Sequence, residues 1–533
     1  MTLRYRVAAA VVLASIAITG LSSCGGGGSS SNSQPAGNSY TPGVFLAEST
    51  FAAKCASPRT GTDPNTQKPY PDTQGTSVDE NNFLRSWTND LYLWYSEVPD
   101  LDPSAYTTAN YFPLLKTSAT TASGNPKDKF HFTYQTSVWE ALSLSNTEVG
   151  YGVQFELLQT TPPRKLIVVY TQAGSAATQP PASLARGATV LTIDGVDINT
   201  TDSAGIQTLN AGITPATAGE SHTFEVEDEG STTPRTVTLT AANVTTNSVP
   251  TVQTFSTATG TVGYMLFNDQ LAQAEQDLVT AVNTLKSAAI TDLVLDIRYN
   301  GGGYLDIASE LAYMIADPNM TAGQTFELTQ FNAKHPSTDP VTGNPLTPTL
   351  FHSTTQGFSL AKGQALPNLN LQRVYVLTTS ATCSASESVM NSLQGVGVQV
   401  IQIGTTTCGK PYGFYPQDNC GTTYFSIQFQ GVNARSFGDY PDGFSPSPSM
   451  TASNGSSATL PGCSVNDDFT HQLGDQNESL LFVALGYRTS QACSVPPAGL
   501  SPGINVKEMV RPSEGRLVRS PLREMRIPRP TPP

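Results

Sequence analysis

The sequence predicts an α/β core preceded by a β-rich domain and a small helical domain. Three observations lead there. The chain has 533 residues, more than one compact core usually holds, so two or three domains are expected. From about residue 260 onward, short apolar strand patterns alternate with amphipathic helical patterns, the signature of an α/β layer structure. Between residues 150 and 242 the texture is different, with short alternating strands separated by turn residues.

The elements follow in order. Arg4 and Arg6 precede an apolar run from Val7 to Leu21 that ends at Ser22-Ser23-Cys24. A charged start, a short apolar stretch and small residues form a secretory signal, and the run is too short and poorly flanked for a membrane span. Leu21-Ser22-Ser23-Cys24 resembles the lipobox of bacterial lipoproteins, which implies acylation of Cys24, an exported protein and a lipid anchor in a bacterial membrane. An ordinary signal peptide with a chance cysteine is the plainer alternative. No Asp follows Cys24, so the resemblance implies the outer membrane. Residues 1–24 are thus read as a signal peptide. Residues 25–77 are a Gly/Ser-rich tether passing into loops rich in Thr and Pro.

A helical pattern begins at Val78, where Phe83, Leu84, Trp87, Leu91, Leu93, Trp94 and Tyr95 crowd one stripe. Residues 78–142 are therefore assigned to a helical domain whose aromatics serve as core. Strands are expected at 152–155, 165–170, 188–193, 222–226 and 235–239 within a domain spanning 145–245. In residues 250–495, strands are expected at 262–267, 293–297, 374–377 and 398–403, with helices at 270–288, 305–316 and 384–393. Sites in such sheets lie beyond the carboxyl ends of the strands. Residues 496–533 are basic and Pro-rich and are read as a disordered tail.

Composition limits the chemistry. A net charge of -14 argues against a nucleic-acid partner, because phosphates are repelled by such a field. Apart from Cys24 there are six cysteines, an even number that suits three disulfides in an oxidising compartment. Cys408 with Cys420, across a short loop, is the expected pair. None of the cysteines shows zinc-type spacing, so neither metal nor cofactor is expected.

Three elements could carry chemistry. After the strand ending at Leu377, a tight polar turn reaches Ser384-Ala385-Ser386-Glu387 at the start of a helix. A serine there is commonly a helix cap, but the turn also sets a hydroxyl beside unpaired N–H groups that suit a developing oxyanion. Lys410 follows the strand 398–403 in Gly404-Thr405-Thr406-Thr407-Cys408-Gly409-Lys410. It is either a loop lysine on the surface or, if buried, a base of lowered pKa. None of the five histidines has a sequence setting that suggests a catalytic partner. The third element, Asp296-Ile297-Arg298-Tyr299-Asn300-Gly301-Gly302-Gly303, sets glycines directly after a buried strand but fits neither phosphate-binding pattern.

Taken together and in this order, the three motifs resemble the C-terminal processing and tail-specific serine proteases, peptidase family S41. The resemblance implies a ClpP/crotonase-like catalytic core, with Ser384 as nucleophile and Lys410 as general base. It also implies an oxyanion hole from the amides of Ala385 and Gly302, and a protein or peptide substrate cleaved through an acyl-enzyme. The interval from Ser384 to Lys410 is one residue longer than usual in the family, the extra residue falling near 395–397. Gly150-Tyr151-Gly152-Val153 and the stretch Leu184 to Gly195 resemble a PDZ domain, which implies a groove for substrate C-termini. One departure is Phe414, where many members have a Gln that orients the lysine; Gln417 is the nearest alternative. The rival readings are a peptide-binding lipoprotein without catalysis on the same fold, an esterase or amidase, and a surface adhesin.

Overall fold

The computed structural model describes residues 40–496, apart from 65, 146, 160 and 161, together with residues 526–527. The expected signal peptide, lipobox and first part of the tether lie outside the described residues, as does most of the 496–533 tail. Among the described residues no helix is long and apolar enough to cross a membrane.

Helix α1 (Ser77–Leu91) opens with a capping box, in which Thr76 and Asp79 satisfy each other's backbone N–H groups. It buries Phe83, Leu84, Trp87 and Leu91 against Phe51, Tyr111, Phe112 and Leu115. The chain turns extended at Tyr92, so Leu93, Trp94 and Tyr95 leave the stripe expected for them. They pack instead beside Tyr92, Phe130, Tyr412 and Ile427. Most of residues 92–131 is loop and short helical turns.

The next domain is a twisted antiparallel sheet. Its strands are β1 (Val153–Gln159), β2 (Lys165–Thr171), β3 (Thr189–Ile193), β4 (Ser221–Glu227) and β5 (Arg235–Thr240), in the order β5-β4-β3-β2-β1. Helix α2 (Ser203–Ile213), absent from the sequence expectations, lies between β3 and β4 in the chain. Leu166, Val168, Val190, Phe224 and Leu239 form the core of this domain. β1 is an edge strand, paired on one side with β2.

The α/β region contains, in chain order, β6 (Thr251–Thr257), β7 (Gly260–Leu266), α3 (Ala274–Ser287), β8 (Asp292–Asp296), the short β9 (Gly303–Tyr304), α4 (Leu305–Ile315), β10 (Arg373–Thr378), α5 (Ala385–Gly395), β11 (Gln399–Gly404), the short β12 (Tyr412–Gly413), β13 (Ser445–Ser447), β14 (Thr459–Ser464) and α6 (Ser479–Ser490). Seven of these strands form one sheet in the order β6-β7-β8-β10-β11-β14-β13, parallel except for the β6–β7 hairpin. Helices cover both faces. Leu293 and Leu295 face α3, α4 and α5. Val294, Tyr375 and Ile401 face α6. Burial on both faces explains why these strands read as continuous apolar runs. β8, β10 and β11 carry their carboxyl ends to one edge, where all three motifs emerge.

Disulfides join Cys55 to Cys420, Cys383 to Cys408 and Cys463 to Cys493. The expected Cys408–Cys420 pair is therefore incorrect. Residues 417–424 form a hairpin that carries Cys420 away towards Cys55, while Cys408 faces the turn before Ser384.

Candidate active site

Ser384 sits between β10 and α5 with φ 61° and ψ -117°, a region that side-chain-bearing residues avoid. The surrounding contacts hold this strained turn in place. Cys383 N–H donates to Asn300 O (3.0 Å), Ser386 Oγ donates to the same carbonyl (3.0 Å), and Thr382 Oγ1 donates to Ile297 O (2.9 Å). The Ser384 turn is thereby stitched to the glycine-rich turn that follows β8. Ser384 is fully buried, and its Oγ has no hydrogen-bond partner among the described residues. A hydroxyl kept from both water and protein partners costs free energy. Ala385 opens α5, ahead of the first intrahelical bond from Ser388 N–H to Ser384 O (3.0 Å). Its amide thus belongs to the positive end of the helix.

Lys410 is fully buried, so of the two alternatives the surface lysine is excluded. Its Nζ lies 4.6 Å from the ring centre of Phe130 and 4.5 Å from that of Phe414. Phe414, the residue in place of an orienting Gln, forms part of the aromatic cradle of the lysine. Gln417, the alternative considered, is half-buried and donates its side-chain amide to the carbonyl of Asp418 (3.1 Å). Phe130 comes from the N-terminal region, and no motif marks it in the sequence.

Glu387 joins the two loops. Its carboxylate accepts the N–H of Ser384 (3.0 Å), Gly409 (2.9 Å) and Lys410 (2.8 Å), and the Thr407 hydroxyl. Burial pushes the Glu387 carboxyl up, while these donors pull it down. The Cys383–Cys408 disulfide makes a second, covalent link between the same loops, one residue before Ser384 and two before Lys410. With their sulfurs joined, these cysteines beside Glu387 supply no thiolate for a metal.

Gly302, expected as the second oxyanion donor, gives its N–H to Asn300 Oδ1 (2.9 Å) in this conformation. The Asn side chain folds back over its own turn and takes the amide first. The histidines are engaged elsewhere: His131 with Phe112 O, His222 with Asp194, His335 with Asp90, His352 with Asp306 and His471 with Asp468. In the antiparallel domain, Gly150 ends a short strand paired to Ala242–Thr245, and Tyr151 is buried with its hydroxyl on Gly212 O (2.9 Å). Gly152 has φ +72°, and a Cβ there would meet Ser175 Cβ at 2.1 Å. Val153 begins edge strand β1.

Residues 259–414 match the family model of peptidase family S41, so the chain carries a domain of that family. The carboxyl-terminal-processing protease of Picosynechococcus sp. is 26% identical over 228 residues, 42% of this chain. The match covers 45% of that relative, less than half of its length. Among solved structures, a Bacteroides fragilis protein assigned to the S41 proteases superposes with a TM-score of 0.55 at 22% identity. It covers 79% of this chain and 98% of its own, and shows that the two share a fold.

Proposed function

We propose that this S41-domain protein is an exported, lipid-anchored serine endopeptidase acting on proteins or peptides. The observation that carries the reading is Ser384: a buried, unpartnered hydroxyl on a strained turn at a helix N-terminus, tied through Glu387 and a disulfide to the loop of a buried lysine. A cap would spend its hydroxyl on the helix, whereas this one does not.

In the proposed reaction, neutral Lys410 takes the proton from Ser384 Oγ as the oxygen attacks the scissile carbonyl carbon. The Ala385 amide and the dipole of α5 stabilise the tetrahedral oxyanion. The C–N bond then breaks, the leaving amine takes the proton from Lys410, and water hydrolyses the acyl-enzyme with the lysine again as base. Gly302 joins the oxyanion hole if substrate draws its N–H from Asn300. Edge strand β1, entered through Gly150-Tyr151-Gly152-Val153, would hold a substrate C-terminus by strand addition, as in a PDZ-like groove. Cys24 would carry the anchor.

Peptide binding without turnover is the second reading, favoured by the hydroxyl that has no base within hydrogen-bond reach. Degradation of an unfolded protein by wild type, Ser384→Ala and Lys410→Ala separates the two. Cleavage lost in both variants supports the dyad; cleavage that survives Lys410→Ala refutes the base. No cleavage by wild type, with peptide still bound, favours the second reading.

A further inference from the structure

The glycine-rich turn ends in β9 (Gly303–Tyr304), a two-residue strand flanked on both sides. On one side Gln270 closes the edge: its N–H donates to Gly302 O (3.1 Å), and Tyr304 N–H donates to Gln270 O (2.9 Å). The approach is so close that a Cβ on Gly303, whose φ is +142°, would meet Gln270 O at 2.4 Å. On the other side lies a strand from the far end of the chain, β15 (Arg526–Ile527). It pairs parallel to β9, with Gly303 opposite Arg526 and Tyr304 opposite Ile527. The same two residues run within 8 Å, Cα to Cα, of β12, which starts two residues after Lys410.

An extended segment of the chain itself therefore lies between the turn that carries Gly302 and the strand that follows Lys410. The two stretches it lies between belong to the loops tied to the Ser384 turn through Asn300 and Glu387. We propose that the 526–527 segment is an intramolecular ligand of this cleft, docked as an added strand on the open edge of β9 and competing there with other extended peptides. The sequence suits the role. Ile527 precedes Pro528, and Pro530 follows soon after, so the segment is biased towards extended backbone before it docks. The tail is also basic on a chain of net charge -14, which favours its return to the body. Tethering adds an effective concentration that a free peptide must overcome. The competition with substrate rests on the peptidase reading above; the docking itself does not.

The test uses the full chain carrying Ser384→Ala, with and without the double change Arg526→Pro, Ile527→Pro, which removes both N–H donors from the added strand. A fluorescent peptide copying residues 523–531 is titrated against each and followed by anisotropy. At least tenfold tighter binding to the double variant, with faster amide exchange at Gly303 and unchanged exchange at Tyr304, whose N–H is held by Gln270 O, is the expected result. Equal affinity and equal exchange would overturn the proposal. With Ser384 restored, the double variant should cleave an unfolded protein with a KM several-fold lower and an unchanged kcat. Tighter peptide binding with no cleavage by either protein would keep the docking and sink the peptidase reading.

Discussion

Two buried polar clusters lie at the same edge of the large sheet and are built on opposite terms. Around Arg298, all five guanidinium N–H groups are matched: two to Asp296, two to Glu478 and one to Asp467, at 2.7–2.9 Å. Tyr264 donates to Asp296 (2.7 Å), and Arg186 of the antiparallel domain reaches Asp467 (2.7 Å) and the Tyr299 hydroxyl (2.7 Å). Burial alone would raise the Asp467 carboxyl, but Arg186 and Arg298 hold it below its usual range. At the end of β10, Ser384 is the reverse: a strained backbone and a hydroxyl left with no bond among the described residues. Satisfied polar groups tie Arg186 of the antiparallel domain to the large sheet, and the unsatisfied one is the hydroxyl that the proposed reaction would use.

The sharpest way to test this contrast is Ser384→Gly. Glycine accepts the positive φ without strain, so stability should rise by about 1 kcal/mol. Proteolysis should fall by more than about 10³-fold. Denaturant unfolding beside a turnover assay reads both, and a destabilised variant would mean that the turn is not under strain. The opposite result is expected from Arg298→Met. It leaves Asp296 and Glu478 without their cation in a dry interior, while Asp467 keeps Arg186, so a loss of about 3–5 kcal/mol should appear in the same unfolding curves. A loss below about 1 kcal/mol would show that the cluster is solvated in solution.

Much of this architecture was legible because periodicity carries it. The strands expected from the sequence fall within about two residues of their observed positions, apart from the end of β1, which runs four residues further, since burial on one or two faces writes itself into the sequence; β6, β13 and β14 were not expected. The motif residues at the ends of β8, β10 and β11 were legible by their order. What escaped depends on distant parts of the chain. Phe130 reaches Lys410 from the N-terminal region, and Cys55 claims Cys420 across 365 residues, leaving Cys408 for Cys383. The Asn300 side chain that takes the Gly302 amide was invisible for a different reason: a motif names donors without saying who reaches them first.

The Cys383–Cys408 bridge bears on the comparison between clusters, because it braces the strained turn where hydrogen bonds to Ser384 Oγ are missing. Replacing both cysteines by Ser releases a loop with a sequence separation of 25 and should cost about 3 kcal/mol by the chain-entropy account. It should also lower kcat more than it raises KM, because the tie it removes lies between the proposed nucleophile and the proposed base. Activity that is unchanged in the double variant and in reductant would assign the bracing to Glu387 alone.

The smallest effect near neutral pH is expected at a third buried cluster, that of Glu275 and Glu310. Glu275 gathers the N–H groups of Gln356, Gly357, Phe358, Ser359 and Leu360, and Glu310 accepts a further bond from Gln356 N–H (2.7 Å). Burial, followed by the neighbouring Glu275, pushes the Glu310 carboxyl up to about 9. Between the ordinary carboxylate range and about 9, the native state therefore holds a proton that the unfolded chain has released. Stability must fall as pH rises through that window and be fully present below it. Glu310→Gln keeps a donor towards Glu275 and removes the titration. The variant should melt close to wild type at pH 5 and progressively above it towards pH 9. Parallel melting curves for the two proteins from pH 5 to 9 would show that Glu310 is ionised in the native state, and that the 356–360 loop is held by two carboxylates.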